Sequence, residues 1–236
     1  VVALKKALVT VLLSTLLLWL AGCASQGFSY SQAMQYKINK WRPYADRHFK
    51  PCFLRAGAPY PPRQLALLVF KQSRTMQIYA RSAGQWRFIR RVPILAASGG
   101  YGPKLHEGDR QVPEGIYHVT ELNPRSHYDL SMRLSYPNEF DMTQARRDGR
   151  DLQTLGGDIY IHGSKSSVGC IAIGNHMIRQ LFPLVWEVGQ RNVIVIVAPN
   201  DFRRAAPVYG KVRPVWLKEL YARITAALWQ YPLADR

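Results

Sequence analysis

The sequence predicts a mostly β domain with flanking helices, and three observations carry that prediction. Between residues 64 and 122, short runs rich in β-formers alternate with turn-bearing segments, the spacing of a strand meander. Asn192 to Val197 is a dense β-branched segment whose apolar residues occupy both parities, as in a strand buried on both faces. A helix is read at about 175–188, and apolar residues stand at helical spacing near the C-terminus at 215–229.

In chain order, Lys5 and Lys6 precede an apolar run from Ala7 to Leu20 that is broken by Thr10, Ser14 and Thr15. The run is shorter than the roughly 20 residues of a membrane span and has the size of a secretory signal core. It ends in Leu20-Ala21-Gly22-Cys23, a tetrapeptide that resembles the lipobox of bacterial lipoproteins. That resemblance implies a signal peptide over 1–22, lipidation of Cys23 and a lipid anchor to membrane. With Ala24 in place of an aspartate, it also implies a periplasmic address at the outer membrane of a Gram-negative bacterium. An ordinary cleaved signal or a single membrane anchor is the alternative, and every version exports the rest of the chain.

Residues 23–60 read as a tether with a packing helix around Ser31 to Tyr44 that ends before Pro51, and Pro59, Pro61 and Pro62 mark a boundary. A catalytic domain is expected over 61–200. Its strands are Leu65–Phe70, Met76–Arg81, Trp86–Leu95, Ile116–Leu122, Arg133–Tyr136, Asp158–His162 and Asn192–Val197, with a helix from Asn175, as its cap, to Val188. The Ser98-Gly99-Gly100-Tyr101-Gly102-Pro103 loop lacks the lysine and serine spacing of a phosphate loop. Pro137 to Gly157 reads as a polar, lid-like segment. Residues 201–236 read as a C-terminal helical extension whose Leu217, Leu220, Ile224 and Leu228 fit a packing helix.

The formal charge of +17 comes from cations spread along the chain and attracts polyanions. For an exported chain these are wall polymers and lipid head groups, and no nucleic acid is expected. With Cys23 lipidated, Cys52 and Cys170 remain. A bridge between them is the bland reading for an oxidising compartment.

Ile159-Tyr160-Ile161-His162-Gly163-Ser164-Lys165-Ser166-Ser167-Val168-Gly169-Cys170-Ile171 favours a free thiol instead. A strand delivers His162, and a loop of small and polar residues can return Cys170 to its side. An adjacent imidazole would lower the thiol pKa and serve as base for a cysteine nucleophile. Gly169 permits a tight turn in which the Gly169 and Cys170 amides face a developing oxyanion. No metal is expected, because zinc takes three or four ligands and only His176 lies nearby. No cofactor is implied.

His162-Gly163 followed by Ser167-Val168-Gly169-Cys170-Ile171 resembles the signature of the L,D-transpeptidase (YkuD-like) catalytic domain. Gly108-Asp109-Arg110-Gln111-Val112-Pro113-Glu114-Gly115-Ile116-Tyr117 resembles the Gly, Pro, Gly run that precedes a strand in the same family. The similarity, closest to the YafK-like branch, spans residues 64–198 and implies a β-sandwich or barrel-like catalytic domain. It implies acyl transfer on peptidoglycan stem peptides through a Cys170 thioester with His162 as base, Gly169 and Cys170 as oxyanion amides, and a backbone carbonyl near Gly163 and Ser164 orienting the imidazole. An amine, water or a wall-linked lipoprotein partner completes the reaction.

Two departures matter. Val168 stands where the family commonly has histidine, and Ala172 where it has arginine. The alternatives are a hydrolase of the same family, detaching lipoprotein or trimming stems, and a catalytically silent peptidoglycan-binding lipoprotein. Arg125, Arg133 and Tyr136 are candidate contacts for a substrate carboxylate, Asp158 is a candidate charge beside the base, and His106 a weaker candidate in its loop.

Overall fold

The computed structural model describes residues 29–234, so Cys23 and the signal segment lie outside the described residues. Nine strands form one connected sheet: β1 (Leu65–Phe70), β2 (Thr75–Ser82), β3 (Gln85–Pro93), β4 (Ala96–Ala97), β5 (Gly115–Asn123), β6 (Ser131–Leu134), β7 (Tyr160–His162), β8 (Ile171–Ala172) and β9 (Val193–Ala198). Their order is β3-β2-β1-β9-β5-β6-β7-β8-β4. The β1–β9 and β7–β8 pairs are parallel and the remainder antiparallel. The sheet curls into a half-barrel with four flanking helices, α1 (Tyr30–Arg55), α2 (Glu139–Arg147), α3 (Gly174–Val188) and α4 (Leu217–Leu228).

Strand alternation divides the apolar residues between two cores. Leu65, Leu67 and Val69 of β1 and Val193, Val195 and Val197 of β9 face the cluster that includes Phe49, Phe53, Ile178 and Phe182 from α1 and α3. Ala66, Leu68 and Phe70, with Ile196 and Ala198, face the cluster built with Leu217, Leu220, Ile224 and Leu228 of α4. β1 and β9 are therefore sandwiched between helices, and their uninterrupted apolar sequences follow from that position.

Two expectations are corrected. The N-terminal helix runs through Pro43 and Pro51 to Arg55 instead of stopping before the second proline. Each interior proline costs roughly 3 kcal/mol, but burial of Met34, Ile38, Phe49 and Phe53 contributes roughly 1.5–3 kcal/mol per side chain, enough to offset both. The helix opens on a capping box in which Ser29 and Gln32 exchange bonds.

The segment expected to be lid-like instead holds α2, whose Asn138 side chain accepts from the Asp141 N–H while the Asp141 carboxylate accepts from the Asn138 N–H, both at 3.0 Å. Burial raises the Asp141 pKa to about 6. Among the described residues no helix is long and apolar enough to cross a membrane.

A buried ion pair ties the layers together. Lys71, just past β1, donates to Glu114 Oε1 at 3.1 Å and to the Val112 carbonyl at 3.1 Å. Glu114 is fully buried and also accepts from Gly102 N–H and from the Tyr221 hydroxyl of α4, each at 2.8 Å. Removing one partner leaves an uncompensated charge in the interior, typically at a cost of about 3–5 kcal/mol. Glu114→Ala is expected to lower stability by about that amount in urea unfolding, and Lys71→Met with Glu114→Leu by much less. Equal losses in the two variants would show that packing around the pair matters and its charge does not.

Candidate functional site

β7 ends on His162, and the next strand of the ladder, β8, begins one residue after Cys170. Ile161 pairs with Ile171 and His162 with Ala172, so the thiol is level with Tyr160. The two candidate residues are thus one strand apart and offset by two residues, roughly 6.6 Å along the chain direction. The loop between them returns the chain to the strand beside β7.

His162 is held firmly. His162 is 2% exposed, its carbonyl accepts from Ile173 N–H at 2.9 Å, and the following Gly163 N–H donates to the Leu130 carbonyl at 3.2 Å. His162 Nδ1 donates to the Gly163 carbonyl, which leaves the Nε2 lone pair to take a proton. Tyr128 lies over the ring with centroids 4.6 Å apart; nothing in the sequence pattern pointed to it. Gly163 has no room for a side chain, since a Cβ there would meet the Tyr128 carbonyl and stand 2.5 Å from Asn175 Oδ1.

Cys52 and Cys170 are both free thiols. Cys170 Sγ donates to the Asp158 carbonyl at 3.6 Å. Burial raises the thiol pKa, and the Tyr160 N–H bonded to it opposes the rise. Burial also lowers the His162 pKa, opposed by its bond to Gly163. The expected depression of the thiol pKa by the imidazole is therefore not what the site displays. Both shifts favour the neutral forms.

The expected oxyanion pair is also corrected. Gly169 N–H donates to Ser98 Oγ at 2.6 Å, which leaves the Cys170 amide as the donor of the two. Ser98 belongs to the glycine-rich loop and is bound twice to Ser167: its N–H donates to Ser167 Oγ at 3.1 Å, and the hydroxyls lie 3.0 Å apart. Ser167 Oγ in turn donates to the Cys170 carbonyl at 2.6 Å. Donor and acceptor counts assign every proton: Ser98 Oγ accepts from Gly169 and donates to Ser167, and Ser167 donates to Cys170. Two serines 69 residues apart thus fix the backbone on both sides of the thiol.

The other candidates separate by burial. Ser164 N–H donates to Asn175 Oδ1 at 2.6 Å, so Asn175 braces the loop and does not cap α3, which begins at Gly174 without a side-chain cap. Tyr136 is 4% exposed and donates to the carbonyls of Lys104 and Leu155, a core role in place of the expected substrate contact. Arg133 pairs with Asp158 at 3.2 Å, beside the thiol's carbonyl acceptor. Arg125 is exposed. His106 N–H and three other donors surround Asp109 in a loop knot. Val168 is 72% exposed and Ala172 fully buried between β4 and β7. Among the described residues no three His, Cys, Asp or Glu are grouped to hold a metal.

The family model for the L,D-transpeptidase catalytic domain, YkuD, matches residues 64–196. YafK of Escherichia coli strain K12, to which an L,D-transpeptidase name is given provisionally, is 34% identical over 156 residues, 63% of this chain and 60% of that protein. The chain thus spans less than two thirds of that relative's length. Among solved structures, the helical cell shape determining protein Pgp2 from Campylobacter jejuni matches at 27% identity with a TM-score of 0.46, over 58% of this chain and 48% of that one. Bdellovibrio bacteriovorus Bd1075 matches at 22% identity with a TM-score of 0.42, over 70% and 54%.

Two outcomes are expected. With the thiol pKa raised, alkylation of Cys170 by iodoacetamide should be slow at neutral pH and accelerate only above the ordinary thiol range. A plateau already reached at mildly acidic pH would reveal a thiolate–imidazolium pair and overturn the neutral assignment. Ser98→Ala should lower kcat about 10–100-fold with KM nearly kept, the scale of a small misplacement of reacting groups, and Ser98→Thr should restore most of it. A change confined to KM would remove Ser98 from the positioning role.

Proposed function

The chain belongs to the L,D-transpeptidase catalytic-domain family, and from that premise we propose that it is a cysteine-dependent acyl transferase acting on peptidoglycan stem peptides. The observation that carries the reading is the placement of His162 at the end of β7 and of Cys170 immediately before the neighbouring strand β8, with the imidazole's Nδ1 committed to the Gly163 carbonyl.

The chemistry follows from those atoms. The thiol turns from the Asp158 carbonyl towards His162 and surrenders its proton to Nε2 as Sγ attacks the scissile carbonyl. Negative charge develops on the carbonyl oxygen where the Cys170 N–H can receive it. Collapse expels the amine of the departing D-residue, which takes the proton from His162, and a thioester remains on Cys170. An acceptor amine, deprotonated by the same imidazole, attacks the thioester and regenerates the thiol. A neutral resting pair makes His162 a general base during attack, with no preformed ion pair.

Water in place of the amine gives hydrolysis, and Ala172 favours keeping that second reading. A fully buried position between two strands carries no cation for a substrate carboxylate. In the hydrolytic version the products are shortened stems or a lipoprotein released from the wall. The lipid anchor on Cys23 and the periplasmic address at the outer membrane belong to the same proposal and rest on the tetrapeptide before Cys23.

Incubation with purified muropeptides and with lipoprotein-linked peptidoglycan, followed by intact mass and product analysis, tests the reading. A thioester adduct on Cys170 with new cross-links is expected, and release without new bonds would assign hydrolysis. Cys170→Ala should abolish turnover while leaving thermal unfolding unchanged; turnover that persists in this variant would exclude the cysteine mechanism. Binding without adduct or product would support a silent wall-binding protein.

A further inference from the structure

A cavity of about 490 Å3 opens where α1, β3 and the start of α3 meet the loop that follows the base. Its volume falls within the roughly 300–1,000 Å3 of small-ligand sites. Leu95 and Met177 contribute apolar lining, whereas the ionisable lining consists of Arg90, Lys165, His48 and His176, with no carboxylate. Neither Arg90 nor Lys165 joins an ion pair among the described residues.

The walls are connected by one polar chain. Arg90 Nη1 donates to Gln180 Oε1 at 3.0 Å, which orients the amide so that its Nε2 donates to His176 Nδ1 at 3.0 Å. His176 therefore keeps its proton on Nε2, against the Tyr44 hydroxyl, and the Tyr44 carbonyl accepts from His48 Nδ1 at 2.8 Å. Gln180, at the centre, is 1% exposed. The chain runs from β3 through α3 to α1, so the side chains around the cavity are arranged before any ligand arrives, which reduces the cost of binding one.

The position of the cavity ties it to the chemistry. Ser164 and Lys165 line it two and three residues after His162, and two residues span at most about 7 Å of chain. His48 comes from α1, outside the 64–196 segment that matches the catalytic-domain family.

We propose that this cavity seats a free carboxylate of the peptide substrate, with Arg90 and Lys165 as its counter-charges. The substrate class rests on the proposed function; the preference for an anion rests on the cavity itself. Cations without a competing acid select negative charge, and the apolar lining suits a ligand with a carbon body better than a bare inorganic anion.

The test uses the full chain carrying Cys170→Ala, titrated at equilibrium with a muropeptide bearing free stem carboxylates and with the same muropeptide after amidation. The free form should bind about tenfold tighter, the scale of one charge-assisted bond. Lys165→Glu, on an exposed loop, should erase that preference, and Arg90→Gln should reduce it. Arg90 also contacts Gln180 and Phe49, so the loop variant keeps the test independent of folding.

Equal affinity for the two forms, or a preference that survives both variants, would overturn the proposal. So would inorganic phosphate that displaces the muropeptide at its own dissociation constant. Turnover by the Cys170 protein is read separately: a carboxylate preference without turnover leaves this site standing and removes the enzymatic reading, and turnover without the preference does the reverse.

Discussion

The arrangement depends on a carboxylate that never meets water. Glu114 gathers Lys71 from the end of β1, the Gly102 amide from the glycine-rich loop and the Tyr221 hydroxyl from α4, so one side chain sets three elements against the start of β5. Burying the pair is a poor way to gain stability, because desolvation of two ions is not fully recovered by their attraction. Its physical yield is register: every oxygen partner is specified, and a shifted loop would strand a charge. The glycine-rich loop fixed at Gly102 begins at Ser98, whose hydroxyl holds the Gly169 amide. The ion pair and the turn that carries Cys170 are thus connected through one short loop.

That connection gives the site its electrostatic character. The turn around Cys170 is held by neutral hydroxyls and amides, and no cation is bonded to the sulfur. Desolvation then controls both titrations, pushing the thiol up and the imidazole down. A shift toward the thiol form lowers exposure to stray alkylation and oxidation, since the thiolate is the reactive species. In the proposed acyl transfer, charge is created at the moment of attack and must be stabilised by donors already in place.

Much of the fold was legible in the sequence, as was the segment that carries His162 and Cys170 to adjacent strands. The strands β1 and β9 were readable because burial on both faces requires apolar residues at every position, and the His162–Cys170 segment because its residue types have a specific chemistry. What stayed hidden depends on partners distant in sequence. Pro43 and Pro51 signal a break locally, but the helix is held by a core that local pattern does not contain. β4 and β8, two residues each, carry no periodicity at all. α2 shows a polar sequence that reads as a lid-like segment, although Asn138 and Asp141 at cap spacing are the available signal. The amide of Gly169 looked free because Ser98 lies 71 residues away, and Tyr136 looked like a surface contact because nothing near it in sequence reveals the two carbonyls it bonds.

The N-terminal helix also braces the site from outside the segment that matches the catalytic-domain family. Tyr30, its first residue, donates to the Leu122 carbonyl at the end of β5, and Lys37 reaches Asp129 at 3.8 Å, one residue beyond the tyrosine that lies over His162. The first turns of α1 are therefore pinned to the end of β5 and to the turn that lies over the imidazole. One helix thus serves two ends: it carries His48 to the cavity and clamps the turn that covers His162.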